Sequence, residues 1–179
     1  MGQTHQDAAA NLSASQQFLT FSLSGEMFGV GILTVKEIIE YGEVTEIPMV
    51  PAFICGVINL RGAVVPVIDL AARFGNTPTI PSRRTCIIIL EIRHEDSTQT
   101  LGVLVDSVSA VLDIPTSEIE PPPAFGARIR ADFIVGMGKV DGHFVILLDI
   151  ERVLSVDEIA TLASLGESDT SEAVSASLN

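Results

Sequence analysis

Short apolar segments separated by turn residues make up most of the chain. Positions alternate between apolar and polar over Phe18–Leu23, whereas Thr85–Ile92 is apolar almost throughout. The first pattern is typical of a strand with one buried face, and the second of a central strand buried on both faces. Turn signals recur roughly every ten residues and few segments have a helical period. We therefore predict about nine or ten short strands in an all-β barrel or sandwich.

One predicted hairpin joins the strands Val57–Leu60 and Val64–Leu70 through a turn at Arg61 and Gly62. Gly62 supplies the positive φ that a tight hairpin needs. Pro66 has no N–H to donate, so its strand should lie at an edge or be bulged there. Arg61 would lie at the tip, where a solvated turn residue and a binding residue are equally good interpretations.

Four other segments carry local signals. Thr34–Tyr41 contains Val and Ile residues that favour a turn followed by a strand. Asp69 is positioned to cap a short helix, Leu70–Phe74. The charged stretch Arg93–Thr100 predicts an exposed loop. Asp113–Pro115 predicts a break in the strand before it, because proline restricts the residue that it follows.

The chain contains an internal repeat. Phe53–Leu70 aligns without gaps to Phe133–Ile150, with six identical residues, and Phe28–Ile39 aligns more weakly to Leu101–Leu112. The turn of the second copy would be Asp141-Gly142, a strong hairpin signal between apolar runs. Each copy therefore predicts the same unit of strand, strand, hairpin and short helix, and we expect two pseudo-repeated β-barrels of about five strands each.

The repeat also predicts how the chain is divided. The first copy spans roughly 18–75 and the second roughly 83–150, within a single region of 18–165. The polar ends are expected to be disordered tails, 1–17 and 166–179. Short C-terminal helices are expected at Asp149–Leu154 and Val156–Leu165.

The two copies differ at charged positions. Glu37 aligns with Ala110 and Arg61 aligns with Asp141, so the first copy has an acid and a base that the second lacks. We predict a Glu37–Arg61 ion pair on the surface. An exposed pair stabilises a fold by only about 0–1 kcal/mol, so we interpret this one as a recognition feature in an apolar patch. The apolar neighbours would be Val35, Ile38 and Val64.

Composition narrows the function. The net charge of −13 argues against nucleic acid and anionic membranes, since both require dense Lys and Arg. Cys55 and Cys86 have no metal or CxxC spacing and are predicted to be buried free thiols. The N-terminus has no secretory signal, and no apolar run approaches the ~20 residues of a membrane span. We expect a cytoplasmic protein.

Six motifs in a consistent order resemble the CheW family of bacterial chemotaxis coupling proteins. They are Met27–Val30, Val35–Ile38, Ile47–Gly56, Asn59–Gly62, Val64–Leu70 and Gly102–Val108. The resemblance covers Phe18–Leu165. It implies two five-stranded SH3-like or OB-like barrels that pack together and exchange strands. It also implies an adaptor with no cofactor and no enzymatic activity, monomeric alone and part of a large array in the cell.

The resemblance further implies two partners. Such adaptors bridge the cytoplasmic tips of chemoreceptors and the regulatory domain of the CheA histidine kinase. The implied receptor-facing residues are Val35, Glu37, Arg61, Gly102, Val108 and Val111, with Cys86 at the margin. The implied kinase-facing residues are Val44, Gly56 and Val64. The receptor would bind as a helix in a groove between the barrels, and the kinase domain at an exposed sheet end.

Other function classes are weaker. An enzyme needs a nucleophile, an acid–base pair, a metal or a cofactor site, and His5, His94 and His143 have no Ser or Cys partner nearby in sequence. The main alternative is a diverged β-barrel module that binds another partner or a small ligand. A barrel for single-stranded nucleic acid is disfavoured by the charge and the few aromatics. CheV-like proteins and CheA carry a related module, but no receiver or kinase segment is recognised here.

Overall fold

The computed structural model describes residues 15–94, 96–122 and 131–154, and within these ranges the protein has eleven β-strands. The strands of the first half are β1 (Ser15–Leu23), β2 (Glu26–Gly31), β3 (Val35–Glu40), β4 (Ile54–Leu60) and β5 (Ala63–Asp69). Those of the second half are β6 (Cys86–His94), β7 (Ser97–Val105), β8 (Ser107–Pro115), β9 (Ile119–Glu120), β10 (Ile134–Val140) and β11 (His143–Leu148). The α-helices are α1 (Leu70–Arg73) and α2 (Ile150–Val153), and the 3-10 turns are Ile32–Thr34, Thr116–Glu118 and Ala131–Phe133. The predicted all-β class is confirmed.

The strands form two sheets, and each sheet takes strands from both sequence halves. One sheet has the order β3-β6-β7-β5-β4 and the other β8-β1-β2-β11-β10-β9. We call them the first and the second barrel. The hairpin β6–β7 lies in the first barrel and the hairpin β1–β2 in the second, each next to a strand of the opposite half through a parallel pair. Equivalent residues meet in these pairs, Val67 with Gly102 and Leu147 with Gly29.

Both sheets curl until their outer strands meet. In the first barrel, Thr45 and Val57 exchange two backbone hydrogen bonds of 2.8 and 2.9 Å, which join the segment after β3 to β4. In the second, the two-residue strand β9 follows β8 after one 3-10 turn and pairs with β10. β9 is the sixth strand of that sheet, one more than the five predicted.

Alternating side chains of these strands fill three cores. In β6, Ile87 and Ile89 point into the first barrel, whereas Ile88 and Leu90 face the second sheet. All four are at most 1% exposed, so the predicted central strand is buried on both faces and lies between β3 and β7. The core between the sheets is the largest and includes α1 and α2.

The repeat is visible in the geometry. Asp69 caps α1, accepting hydrogen bonds from the N–H groups of Ala71 and Ala72 at 3.0 and 3.4 Å. Its counterpart Asp149 caps α2 and accepts one from the Arg152 N–H at 3.3 Å. The predicted cap is therefore present in both copies. A carboxylate satisfies the free N–H groups that begin each of these one-turn helices.

Arg73 joins the two halves where the helices meet. Its Nε donates to the Val153 carbonyl oxygen at 3.0 Å. Its guanidinium carbon lies 5.3 Å from the ring centroid of Phe53 and 4.9 Å from that of Phe133. These two rings are equivalent in the repeat, so one cation bridges corresponding positions of both copies.

Three predictions of local structure are wrong. β1 begins at Ser15, so residues 15–17 belong to a strand and not to a tail. The predicted loop Arg93–Thr100 is largely a continuation of the β6–β7 hairpin, with Arg93 opposite Thr98. The predicted break at Asp113–Pro115 is continuous strand, because β1 pairs with it and Ile114 is buried in the second barrel. Partner strands thus override weak local signals. Val156–Leu165 and the tail segments 1–14 and 166–179 lie outside the described residues.

The predicted hairpin turn is confirmed in detail. Arg61 has φ 52° and Gly62 has φ 88°, as in the type I′ turns that match the twist of hairpin strands. The Asn59 Oδ1 accepts a 2.8 Å hydrogen bond from the Gly62 N–H. β5 meets β7 from Val67 onward, so Pro66 has a strand partner on one side only, as its missing donor requires.

Cys55 lies beside the Asp69 cap and is a free thiol, as is Cys86. Burial, and secondarily the Asp69 carboxylate, raises the pKa of the Cys55 thiol to about 12. The native fold therefore keeps this sulfur protonated and unreactive at neutral pH.

We expect Gly62→Val to lower the free energy of unfolding by about 1–2 kcal/mol, because a β-branched residue is strained at positive φ. Gly42→Val is the matched control, since Gly42 is exposed, has open space around it and lacks a positive φ. Urea denaturation measures both variants. Equal midpoints for the two would contradict the turn assignment.

In a Cys86→Ser background we expect iodoacetamide to label Cys55 on the order of a hundredfold more slowly in the native protein than in urea at pH 8. The reason is that the raised pKa removes most of the thiolate. Mass spectrometry over time gives both rates. Native labelling as fast as unfolded labelling would show that the thiol is not shielded.

Candidate functional site

An ion pair across the seam of the first barrel is the centre of the site. The Arg61 Nη1 donates to the Glu37 Oε2 at 2.8 Å, as the comparison of the two copies predicts. The Arg61 side chain is 74% exposed and the Glu37 side chain 23%. One partner thus presents its charge to solvent while the other fixes its direction.

Local structure explains how these side chains meet. A bulge between Val35 and Glu37 shifts the register of β3 against β6 and places Glu37 opposite Ile89. The type I′ turn extends Arg61 from the β4–β5 hairpin. Because β3 and β4 are the two outer strands of this sheet, the ion pair forms only when the sheet has curled closed.

Three apolar residues lie close to Glu37 or Arg61 in sequence and differ in exposure. Ile38 follows Glu37 in β3 and is 42% exposed, and Val64 opens β5 next to the turn and is 72% exposed. Val35 is partly buried against the core between the sheets. Because successive residues of a strand point to opposite faces, Ile38 lies on the other face of β3 from Glu37, and the apolar patch around the ion pair stays a prediction.

Three residues of the predicted receptor-facing set have a similar environment. Val35, Cys86 and Val108 are all partly buried residues that pack against the core between the sheets. They therefore lie along the rim where the two barrels adjoin. Val111 is 49% exposed on β8.

Gly102 is an exception and does not belong on a contact surface. It is buried opposite Ile89, and a Cβ there would lie 2.8 Å from the Ile87 Cγ2. Its role is to let side chains of β5 and β6 approach each other over β7, in the row that Gly102 shares with Ile89 and Glu37. Any effect on binding would be indirect.

The predicted kinase-facing residues also include both a buried glycine and an exposed valine. Val44 and Gly56 are neighbours, since a Cβ on Gly56 would come within 3.0 Å of the Val44 Cγ1. Gly56 is buried with φ 147°, and such a Cβ would also overlap the Thr45 carbonyl oxygen. Gly56 is therefore a residue of barrel closure. Val44 is partly buried, and Val64, near the hairpin turn, is the exposed member.

Leu33 was missed by the sequence analysis. It is 98% exposed in the 3-10 turn that precedes β3, next to Val35. Hydrophobic patterning predicts that a leucine is buried, so it does not predict the exposure of Leu33. The repeat does indicate it, because Leu33 aligns with Asp106, and a position that is polar in one copy need not be buried.

A metal-binding cluster and a membrane-spanning helix are both absent from the part of the chain that the structure describes. These residues contain no group of three or more His, Cys, Asp or Glu side chains arranged to hold a metal ion. Within the same ranges, no helix is long and apolar enough to cross a membrane.

Comparisons with known proteins agree with this architecture. A model of the CheW-like domain matches residues 17–158. The chain is 36% identical over 159 residues to the chemotaxis protein CheW of Klebsiella aerogenes, covering 89% of this chain and 93% of that protein. It is 34% identical over 145 residues to CheW of Bacillus subtilis, covering 81% and 90%.

A solved structure is similar in the same region. The scaffolding protein TtCheW from Thermoanaerobacter tengcongensis superposes with a TM-score of 0.71 at 37% identity, covering 80% of this chain and 90% of that one. The family consists of scaffold proteins and not of enzymes. The chain therefore belongs to the CheW family of chemotaxis scaffold proteins.

Proposed function

We propose that this protein couples the cytoplasmic tips of chemoreceptors to the regulatory domain of a CheA-type histidine kinase, so that kinase activity follows receptor state. The observation that carries this proposal is the Glu37–Arg61 pair, in which Glu37 orients a solvent-exposed guanidinium. The pair occurs in one copy of the repeat, which is expected of a partner-binding feature and not of a folding requirement. The protein would act in the cytoplasm, as a monomer alone and as part of an array with its partners.

The receptor would bind at the first barrel and along the rim between the barrels. Arg61 offers a solvent-facing guanidinium at one end, and Val35 and Val108 offer partly buried apolar contacts along the rim. Such a surface suits the apolar stripe of a helix whose flank carries an acidic residue. Val111, exposed on β8, would extend the contact onto the second barrel.

The kinase domain would bind at the β4–β5 side of the first barrel. Val64 presents an isolated apolar side chain there, and Val44 is accessible near the bridge that closes the barrel. Apolar contacts of this kind contribute to binding when they are fully desolvated in the complex. The two partners would then occupy different faces and could bind together.

We expect Arg61→Glu to weaken binding to a receptor-tip fragment by about tenfold or more, because it reverses the exposed charge and repels Glu37. Isothermal titration calorimetry measures the affinity. Arg93→Glu is the matched control, since Arg93 is an exposed arginine at the far end of β6.

The double exchange of Glu37→Arg with Arg61→Glu separates two roles of the pair. If Arg61 contacts the receptor, the exchanged pair stays weak although its ion pair is restored. Full recovery of affinity in the double variant, or no loss in Arg61→Glu, would contradict a receptor-contacting role.

We expect Val64→Asp to weaken binding to the isolated kinase regulatory domain by about tenfold, because a carboxylate would be desolvated in the complex. Ile80→Asp is the control, since Ile80 is similarly exposed outside the hairpin. Receptor-tip affinity measured in parallel should be unchanged for both variants. Loss of both affinities in Val64→Asp would indicate misfolding, and no loss of kinase affinity would refute the assignment.

A further inference from the structure

The end of the second barrel that corresponds to the Glu37–Arg61 pair is open. Strand registers identify the equivalent rows, each formed by three residues side by side on neighbouring strands. The row in the first barrel is Glu37, Ile89 and Gly102, and that in the second is Ala110, Thr20 and Gly29. Smaller side chains thus occupy two of three positions in the second barrel, and Asp141 replaces Arg61.

A groove of about 670 Å³ lies at this end of the second barrel, where the smaller side chains stand. Its apolar lining includes Met27, Leu112, Met137, Phe144 and Ile146. Thr20 lines the inner part, and its hydroxyl is already satisfied by donating to the Ala110 carbonyl oxygen at 2.8 Å. The groove therefore presents mainly carbon atoms, as ligand sites of this size commonly do.

The rim of the groove is acidic. Glu26 and Asp141 are exposed and line its edge together with His143. No arginine or lysine is among the lining residues. With the chain's net charge of −13, an apolar ligand that carries a positive charge is favoured at this site.

The adjoining strand favours a peptide over a compact small molecule. Residues 109–112 of β8 pair only with β1 in the part of the chain that the structure describes, because the pair that closes this barrel is made by β9 and β10, beyond the end of β8. Ser109, Ala110 and Leu112 of this strand line the groove. An extended peptide can pair with such an edge while alternate side chains enter a neighbouring pocket.

We propose that the open end of the second barrel binds an extended segment of a partner protein, with an apolar side chain in the groove and a lysine or arginine at its acidic rim. None of the residues that line the groove is assigned to the receptor or the kinase, although the receptor-facing Val111 lies between Ala110 and Leu112 on the same strand. The proposal does not depend on those assignments. Burial of one large apolar side chain and two charge contacts corresponds to a weak, reversible interaction.

The test is a selection of random 12-residue peptides, displayed on phage, against the full chain. Ala110→Phe serves as the counter-target, because Ala110 is exposed and a phenyl ring there fills the groove. We expect enriched peptides to carry Lys or Arg within three positions of Leu, Met or Phe. A synthetic version should lose at least tenfold in affinity with Ala110→Phe and with Asp141→Lys, as measured by fluorescence anisotropy.

Glu118→Lys is the matched control, since Glu118 is an exposed acid outside the groove, and it should bind like the native chain. If Ala110→Phe does not fold, the peptide affinities of Asp141→Lys and Glu118→Lys are compared instead. Three results would overturn the proposal: no enriched peptide, equal binding to Ala110→Phe or Asp141→Lys, or no enrichment of basic residues. Saturable binding of submicellar dodecyltrimethylammonium without peptide binding would assign the groove to small amphiphiles and overturn it too.

Discussion

The rest of the structure depends on two hairpins, β1–β2 and β6–β7, each of which pairs with strands from the other half of the chain. Neither half can complete its sheet alone, because β6–β7 stands between β3 and β5, and β1–β2 stands between β8 and β11. The parallel contacts that join the halves use equivalent positions, Gly102 against Val67 and Gly29 against Leu147. Folding of one barrel therefore requires the other, and the core between the sheets forms in the same event.

This constraint explains where binding features can vary. Residues kept in both copies hold the shared scaffold: Asp69 and Asp149 cap the helices, and the two Asp- or Arg-Gly turns close the hairpins. The barrel ends are where the charged positions of the two copies differ. Glu37 with Arg61 covers one end, while Ala110 with Asp141 leaves the other open. Function can differ between the copies without a change in the fold.

Much of this could be predicted because the repeat doubles each local signal. The hairpin turns, the caps and the ion pair all lie in the aligned segments of the two copies, whereas the buried strand β6 follows from its continuous apolar run. The predictions that failed concern Ser15, Arg93–Thr100 and Asp113–Pro115. Polar strands such as these are stabilised by their partner strands, which a single segment does not reveal. Gly56 and Gly102 were assigned to binding sets, whereas burial makes them packing residues.

The ion pair itself shows how stability and recognition separate at one site. With Arg61 74% exposed, the pair adds little to the free energy of folding, since solvent screens it and both side chains lose rotamer freedom. Its value is directional, because Glu37, held by the bulge in β3, orients the exposed guanidinium. A partner that meets a charge already oriented loses less entropy on binding than one that must order it. Curling of the sheet brings β3 and the turn together. The Glu37 and Arg61 side chains therefore lose most of their conformational entropy on folding and not on binding.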